Sequence, residues 1–591
     1  MTQGKASEFT DLVSMLDISV MRFGDQPLFG GKRDDRWDWI TYRDFYSLVL
    51  HLSQQLWSMG LRRGDALALI AGNSVEWAAC AYATMRIGAN FVPMYESQTM
   101  EDWQYIVNDC GAKILLVNSF QANLSTVLMT PQQTPKLKQR GLIEYLHGDK
   151  YITIPSARFS DELIDARVAP DDPACIIYTS GTTGKPKGVV LTHKNIISNV
   201  NAVTGTQSLT PEDRCLSFLP WAHSFGQTCE LHTFIANGAQ IAICEGVDKI
   251  IDNLAEVRPT VLCAVPRIFN RIYAGVQKQI SEKPSVVQSI YKNALKAAHD
   301  RRVGRAITLS ERGQLWLADK LIFSKVRQKF GGRLRYAFSG GAALSPEVAE
   351  FIDTLGIAAY EGYGLSETSP IVACNTPLNN RLGSVGQPLP GVRVVIDESA
   401  VEGVECGHGE IIVYGPNVMW GYNELPEETA RVMTADGGFR TGDIGCIDRD
   451  GYLFITGRIK EQYKLQNGKY VAPAPLEENL KLSPFIANVM IYGDNQPHNV
   501  ALVVPDFEAL RLAGQDYQDR QKLKQLLGTE IDKYSEQFPK YARIKSLAVI
   551  NEDFTTENGL LTPTMKVKRR EVMKQYGDLI FGLYGQPKPA K

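Results

Sequence analysis

A chain of 591 residues is too long for one ordinary core and points to about three or four folding units. Its composition, 44% apolar, 22% charged and 9% aromatic, is that of a soluble globular protein, and 63 Lys and Arg against 65 Asp and Glu leave a formal charge of −2. That balance gives no support to a nucleic-acid partner, which favours a strongly basic face, although it leaves a local basic patch open.

Ten cysteines lie between Cys80 and Cys446 with no C-x-x-C pair and no metal-like spacing, the usage of small apolar thiols in a reducing compartment. The first residues, MTQGKASEFTDLV, are acidic and polar where a signal peptide needs an apolar core. No window offers the roughly 18 consecutive apolar residues of a membrane span. The expectation is a cytoplasmic protein, with peripheral attachment to the inner face of a membrane and homodimerisation left open.

In chain order, Ala66–Ala71 (ALALIA) and Lys113–Asn118 (KILLVN) predict buried strands, and Glu76–Ile87 between them predicts a helix ended by Gly88. Cys175–Tyr178 predicts a strand feeding a glycine-rich loop, and Arg333–Phe338 one that runs into Ser339-Gly340-Gly341. Strand followed by glycine loop at the edge of a parallel sheet is where α/β proteins bind ligands. From about Gly383 the strand-like runs VRVVIDES, GEIIVYGP and GYLFITG crowd together around Gly and Pro turns, predicting a smaller β-rich unit over residues 383–457. Past Gly457-Arg458 strand and helix alternate again (MIYG, NVALVVPD, and a helical stretch Tyr517–Tyr534), which sets a domain boundary near Arg458.

The most informative stretch is Thr179-Ser180-Gly181-Thr182-Thr183-Gly184-Lys185-Pro186-Lys187-Gly188. Its glycines let backbone N–H groups approach a ligand, and its hydroxyls and two lysines suit a polyphosphate. It is not the G-x-x-x-x-G-K-[ST] loop, because Gly184-Lys185 lacks a glycine five residues earlier and Pro186 follows.

Followed by VVLTH, this stretch resembles the signature of the adenylate-forming superfamily, which includes acyl-CoA synthetases, luciferases and peptide-synthetase adenylation domains. Further elements of that family follow in order. Ser339-Gly340-Gly341-Ala342 resembles the segment lining the adenine. Tyr360-Glu361-Gly362-Tyr363-Gly364-Leu365-Ser366-Glu367-Thr368 resembles the element with a ring beside the base (Tyr363) and a Mg²⁺ ligand (Glu367), whose partner would be Thr179. Ser366 stands where a threonine is more usual. Phe439-Arg440-Thr441-Gly442-Asp443 resembles the element whose aspartate holds the ribose hydroxyls. Gly457 to Tyr470 (GRIKEQYKLQNGKY) resembles the hinge, with Arg458 toward the ribose or phosphates, Lys460 as pivot, Lys460 and Glu461 where many relatives place an aspartate, and the Gly468 loop lining a thiol tunnel. LTPTMKVKRR resembles the segment of the catalytic lysine, which places Lys566 in that role with Lys568 as the alternative. Pro220-Trp221-Ala222-His223-Ser224-Phe225 resembles the acyl-pocket element, with His223 as the side chain adjoining the acyl site.

The resemblance implies an α/β fold: a large N-terminal domain (residues 1–457) of two doubly wound α/β subdomains plus a small β-barrel-like subdomain, then a hinge and a small mobile α+β C-terminal domain (residues 458–591). GSVGQPLPGVRV, GPNVMWGYNELPEETA and GDIGCIDRDGYLFITGR resemble bacterial long-chain fatty acid–CoA ligases in particular. The implied partners are ATP, Mg²⁺, a medium- or long-chain fatty acid and coenzyme A. Two alternatives stand beside this: acyl carrier protein as acceptor, or a binding homologue that has lost its chemistry, against which Thr179, Glu367, Asp443 and Lys566 are all present.

Overall fold

The computed structural model describes residues 9–118, 134–142, 167–179, 185–403, 405–556, 558–562 and 566–587. The continuous apolar runs become parallel strands because both of their faces are covered, as a doubly wound sheet requires. All five residues of strand Ala66–Ile70 are buried, as are all four of Ile114–Val117. These two pair in parallel in a seven-stranded sheet that also contains Asn90–Met94 and Pro173–Thr179. The helix between them spans Val75–Arg86, with the Ser74 side chain accepting from Trp77 N–H at its start, and ten of its twelve residues are buried.

A second layer is built from the parallel trio Val261–Ala264, Tyr336–Ser339 and Ala358–Gly364, extended by antiparallel Ile371–Cys374 and Gln387–Pro388. Beside it, Arg214–Ser217, Gln240–Ile243 and Pro27–Arg33 run parallel, with Arg36–Thr41 antiparallel at the edge. The β-rich stretch is a four-stranded antiparallel sheet of Arg393–Asp397, Gly409–Tyr414, Phe439–Ile447 and Leu453–Arg458. One piece leaves it: Gly421–Tyr422 pairs with Val189–Val190 at the edge of the seven-stranded sheet. The small C-terminal domain packs helices Pro473–Leu480, Arg520–Ser535 and Arg569–Gly582 around a sheet of Ile486–Tyr492, Asn499–Pro505 and Ile544–Val549. All ten cysteines are free thiols. Among the described residues no helix is long and apolar enough to cross a membrane.

The core of the large domain is aromatic. Trp77 and Trp221 are fully buried and meet edge to face at 5.6 Å, and Phe91 stands 5.0 Å from Trp77. Each such side chain contributes roughly 1.5–3 kcal/mol by burial, more through ring geometry. Next to this stack one helix runs from Ser224 to Ala236, and its middle, Gly226–His232, is π-wound. Gly226 has no alternative, since a Cβ there would meet Pro220 O at 2.6 Å.

That helix inserts polar groups into the core. Glu230 is fully buried and accepts from Ser217 Oγ at 2.6 Å; His232 Nδ1 lies 2.8 Å from Tyr82 Oη. Burial pushes the Glu230 carboxyl up to about 8, against the opposing hydrogen bond from Ser217. Between the ordinary value of 4.5 and about 8 the folded chain holds a proton that the unfolded chain has lost, so stability falls as pH rises through that window. Glu230→Gln therefore shows a smaller drop in urea midpoint between about pH 5 and about pH 8 than the unsubstituted protein; an equal drop would remove Glu230 as the source.

Candidate active site

The strand Pro173–Thr179 buries Ala174 to Tyr178 and delivers Thr179 to the rim of the sheet, paired with Lys187. Ser180, Gly181, Thr182, Thr183 and Gly184 lie outside the described residues. Beyond them the Lys185 ammonium stands 5.1 Å from the Tyr105 ring. Lys187 turns to Glu428, 2.6 Å away, and lies 5.1 Å from the Tyr422 ring, so both lysines are held at the loop's margins by specific partners.

Tyr422 is the residue that the inserted edge strand contributes. Its hydroxyl donates to Glu367 Oε1 at 2.9 Å, and burial with the Glu367 charge holds its phenol far above the usual range. Glu367 sits in the short turn Ser366–Thr368 directly after strand Ala358–Gly364. A Cβ on Gly364 would collide with Pro370 O at 1.7 Å, which is why glycine opens this turn. Gly362 and Tyr363 remain in the ladder opposite Cys374 and Ala373, and Leu365 N–H donates to Pro370 O. Ser366 Oγ lies 3.2 Å from Ser224 Oγ, tying the turn to the helix after His223. Carboxylate and threonine hydroxyl are hard oxygen donors, the chemistry that Mg²⁺ takes, and no cluster of three His, Cys, Asp or Glu competes among the described residues.

Opposite stands Asp443, almost fully buried. It accepts from Tyr363 Oη at 2.7 Å and pairs with Arg458 Nε at 2.7 Å, the two residues facing each other across adjacent strands. The Asp443 charge raises Arg458 above its ordinary value, and burial raises the Tyr363 phenol. The third wall is Ser339-Gly340-Gly341-Ala342: Gly341 has φ +85°, Ala342 is exposed, and a Cβ on Gly340 would lie 3.1 Å from the Phe225 ring. Glu361 turns away from the cleft surface, accepting from Leu344 N–H at 3.2 Å, and its burial pushes its carboxyl up to about 7.

His223 accepts a hydrogen bond from Phe225 N–H at Nδ1, 3.1 Å, which assigns the ring proton to Nε2. Burial and then the Lys566 charge push its pKa down to about 4, so the ring is neutral at physiological pH. Lys566 arrives from the small domain, its backbone fixed by two bonds with Thr562: Thr562 N–H donates to Lys566 O at 2.8 Å and Lys566 N–H to Thr562 Oγ1 at 3.1 Å. Lys566 is exposed, yet desolvation by the surrounding protein lowers its pKa, as does Arg458, against Asp443, Glu461 and Glu367. Lys568 instead donates its backbone N–H to Leu560 O at 2.8 Å and opens helix Arg569–Gly582. The charges of Arg458, Asp443, Glu461 and Glu367 act on Lys566.

Lys460 is exposed in the turn after strand Leu453–Arg458, whose Ile459 N–H donates to Gly442 O at 2.9 Å. Gly468 lies at the exposed tip between Tyr463–Lys464 and Tyr470–Val471, with φ +82° and open space where a Cβ would stand. Among the described residues its backbone N–H bonds to Leu465 O and no hydrogen bond joins it to the other site residues.

The AMP-binding enzyme family model matches residues 16–423, and the AMP-binding enzyme C-terminal domain matches residues 460–588. The chain belongs to this adenylate-forming enzyme family. A long-chain-fatty-acid–CoA ligase of Mycobacterium tuberculosis is 31% identical over 94% of this chain and 93% of its own length. Fatty acyl-CoA synthetase A of Dictyostelium discoideum is 31% identical, over 95% and 88%. Among solved structures, the adenylation domain of a carboxylate reductase from Mycobacterium chelonae superposes with a TM-score of 0.78 at 21% identity, covering 98% of this chain and 91% of that one. The anthranilate CoA ligase AuaEII gives 0.75 at 19%, over 98% and 99%. Both share the fold.

Three residues around the site had no role in the sequence reading. Tyr422 holds Glu367, Ser224 touches Ser366, and Asn73 anchors the His223 loop, accepting from Trp221 N–H at 2.8 Å and donating to Leu219 O at 2.7 Å. Tyr422 lies inside a stretch that resembled the family, whereas no local pattern marks Asn73. Removing that amide leaves two backbone groups unpaired, so Asn73→Ala loses about 1–3 kcal/mol in urea unfolding; an unchanged midpoint would mean that the loop is held by its aromatic packing alone.

Proposed function

We propose that this chain is an AMP-forming ligase that joins a medium- or long-chain fatty acid to coenzyme A through an acyl-adenylate. The observation carrying this reading is the cleft in which Tyr422 holds Glu367 while Tyr363 and Arg458 hold Asp443, with Lys566 of the small domain within reach of their charges. The kinship with long-chain-fatty-acid–CoA ligases over more than nine-tenths of the chain supports the substrate class.

A carboxylate resists a thiol because it is anionic and its leaving group is oxide-like. In the first step a carboxylate oxygen attacks the α-phosphorus of ATP and the bond to pyrophosphate breaks. In the second, the thiol sulfur attacks the acyl carbon, the thiol proton is released and AMP leaves. Mg²⁺, held by Thr179 and Glu367, would offset charge on the triphosphate. Asp443 and Arg458 would orient the ribose, and Tyr363 and the Gly340–Ala342 wall would frame the base. Lys566 would set a positive charge beside the phosphate; at about 4 Å and an effective dielectric near 20 that amounts to roughly 4 kcal/mol. His223 would offer Nε2–H at the acyl end. For the thiol to enter, the residues beyond Lys460 would rotate about it, withdrawing Lys566 and bringing the Gly468 hairpin to the cleft while Arg458 stays with Asp443.

The test gives purified protein ATP, Mg²⁺, coenzyme A and acids from acetate through octanoate, laurate, palmitate and oleate to benzoate. Thioester from the acids of about twelve to eighteen carbons is expected, with AMP in equal amount. AMP without thioester would move the acceptor to acyl carrier protein, and neither product would overturn the reading. Lys566→Ala abolishes acyl-adenylate formation by several powers of ten and largely spares thioester formation from pre-made acyl-adenylate; equal loss of both half-reactions would end this role for Lys566. Asp443→Asn raises KM for ATP more than it lowers kcat for the second half-reaction, read by the same assay with pre-made intermediate.

A further inference from the structure

Residues 266–335 depart from the charge balance of the rest of the chain. They carry sixteen Lys and Arg against four Asp and Glu, a net of +12, and since the whole chain is −2 the remainder carries −14. The segment is almost entirely helical: Pro266–Ser281, Ser285–Arg302, Leu309–Ala318, a π-wound turn Asp319–Phe323, and Ser324–Lys329. It crosses from strand Val261–Ala264 to strand Tyr336–Ser339.

These helices are two-faced. Helix Ser285–Arg302 buries Tyr291, Ala294, Ala297 and Ala298 and exposes Val286, Lys292 and Lys296. On the next helix Leu309, Arg312, Trp316 and Lys320 recur at intervals of three and four, one outward stripe. Leu309 is 84% exposed and Trp316 61%, and the Lys320 ammonium rests 4.6 Å from the Trp316 ring. Val303 and Leu321 are exposed beside them. Some basic groups serve the fold: Arg302 pairs with Asp353, Arg327 with Asp319 and Arg335 with Asp213. Others do not: Lys283, Lys292, Arg312, Lys325 and Lys329 are exposed and make no salt bridge among the described residues.

A single exposed leucine needs no explanation, but large apolar side chains among unpaired lysines and arginines on a helix face match one chemistry. A polyanion such as nucleic acid or an acidic protein uses the charge and leaves Leu309 and Trp316 in water. An anionic bilayer uses both, because its headgroups attract the bases and its boundary layer takes up Trp and Leu.

We propose that the helical segment 266–335 docks the protein on an anionic lipid surface, with Trp316 and Leu309 entering the headgroup boundary and the surrounding lysines and arginines meeting lipid phosphates. Fatty acids partition into bilayers, so docking would hold the enzyme where its substrate is concentrated, a consequence that rests on the fatty-acid reading. The docking itself does not.

Vesicle flotation of the full chain tests it. The protein binds vesicles of phosphatidylcholine with about a third phosphatidylglycerol, and binding falls at least about tenfold on phosphatidylcholine alone or in about 0.5 M NaCl. Leu309→Ser with Trp316→Ser, and separately Lys325→Glu with Lys329→Glu, each weaken binding about tenfold. Both doubly substituted proteins keep the melting temperature and the laurate activity measured without vesicles, which separates docking from folding and from the assigned chemistry. Absence of binding to anionic vesicles, equal binding to neutral ones, or binding unchanged in both variants overturns the proposal. So does a dimer that becomes monomeric in the Leu309/Trp316 variant, because the face would then belong to a second copy.

Discussion

The pairing of Asp443 with Arg458 is the constraint on which the rest of the cleft depends. The two residues face each other across neighbouring strands, so the ladder that builds the β-rich sheet also sets their side chains 2.7 Å apart. A nearly buried carboxylate needs such a partner, and Tyr363 completes its shell from a different sheet. Two layers are thereby locked at one carboxylate. The strand that supplies Arg458 ends there, and the chain leaves for the small domain through an exposed turn. The lysine that returns from that domain meets the field of the same pair. Charge at one point therefore ties the β-rich sheet, the exit toward the small domain and the incoming lysine together.

Much of this was legible from residue order alone. Continuous apolar runs such as ALALI and ILLV are strands buried on both faces, and period and burial agree because a doubly wound sheet leaves no solvent side. The glycine-rich segments after strands were legible as loops because each follows such a strand and carries residues that a core would not choose. The expected helix 76–87 is Val75–Arg86, and the expected 517–534 is Arg520–Ser535.

Long-range pairing was not legible. Gly421–Tyr422 reads as part of the β-rich unit, yet its two residues pair with Val189–Val190, more than two hundred positions earlier. Nothing local reports that a two-residue strand will cross between sheets, or that its tyrosine will hold Glu367. Asn73 is similar: an asparagine after a strand has many uses, and its hold on the Trp221 backbone exists only once the sheets have packed. The basic helices between residues 266 and 335 vanish in an overall charge of −2 because the remaining surface compensates them.

The π-wound middle of the helix from Ser224 to Ala236 has a consequence for how such a chain diverges. A π turn holds one more residue than the α turn it replaces. Loss of a single codon within Gly226–His232 would restore α winding and leave the aromatic stack under Trp221 and the helix end at Ala236 where they are. What would change is the phase of the residues between, swinging Gln227, Glu230 and His232 about a third of a turn around the axis. The interior beside His223 can thus be remade by insertion or deletion, without the many simultaneous substitutions that a close-packed core otherwise demands.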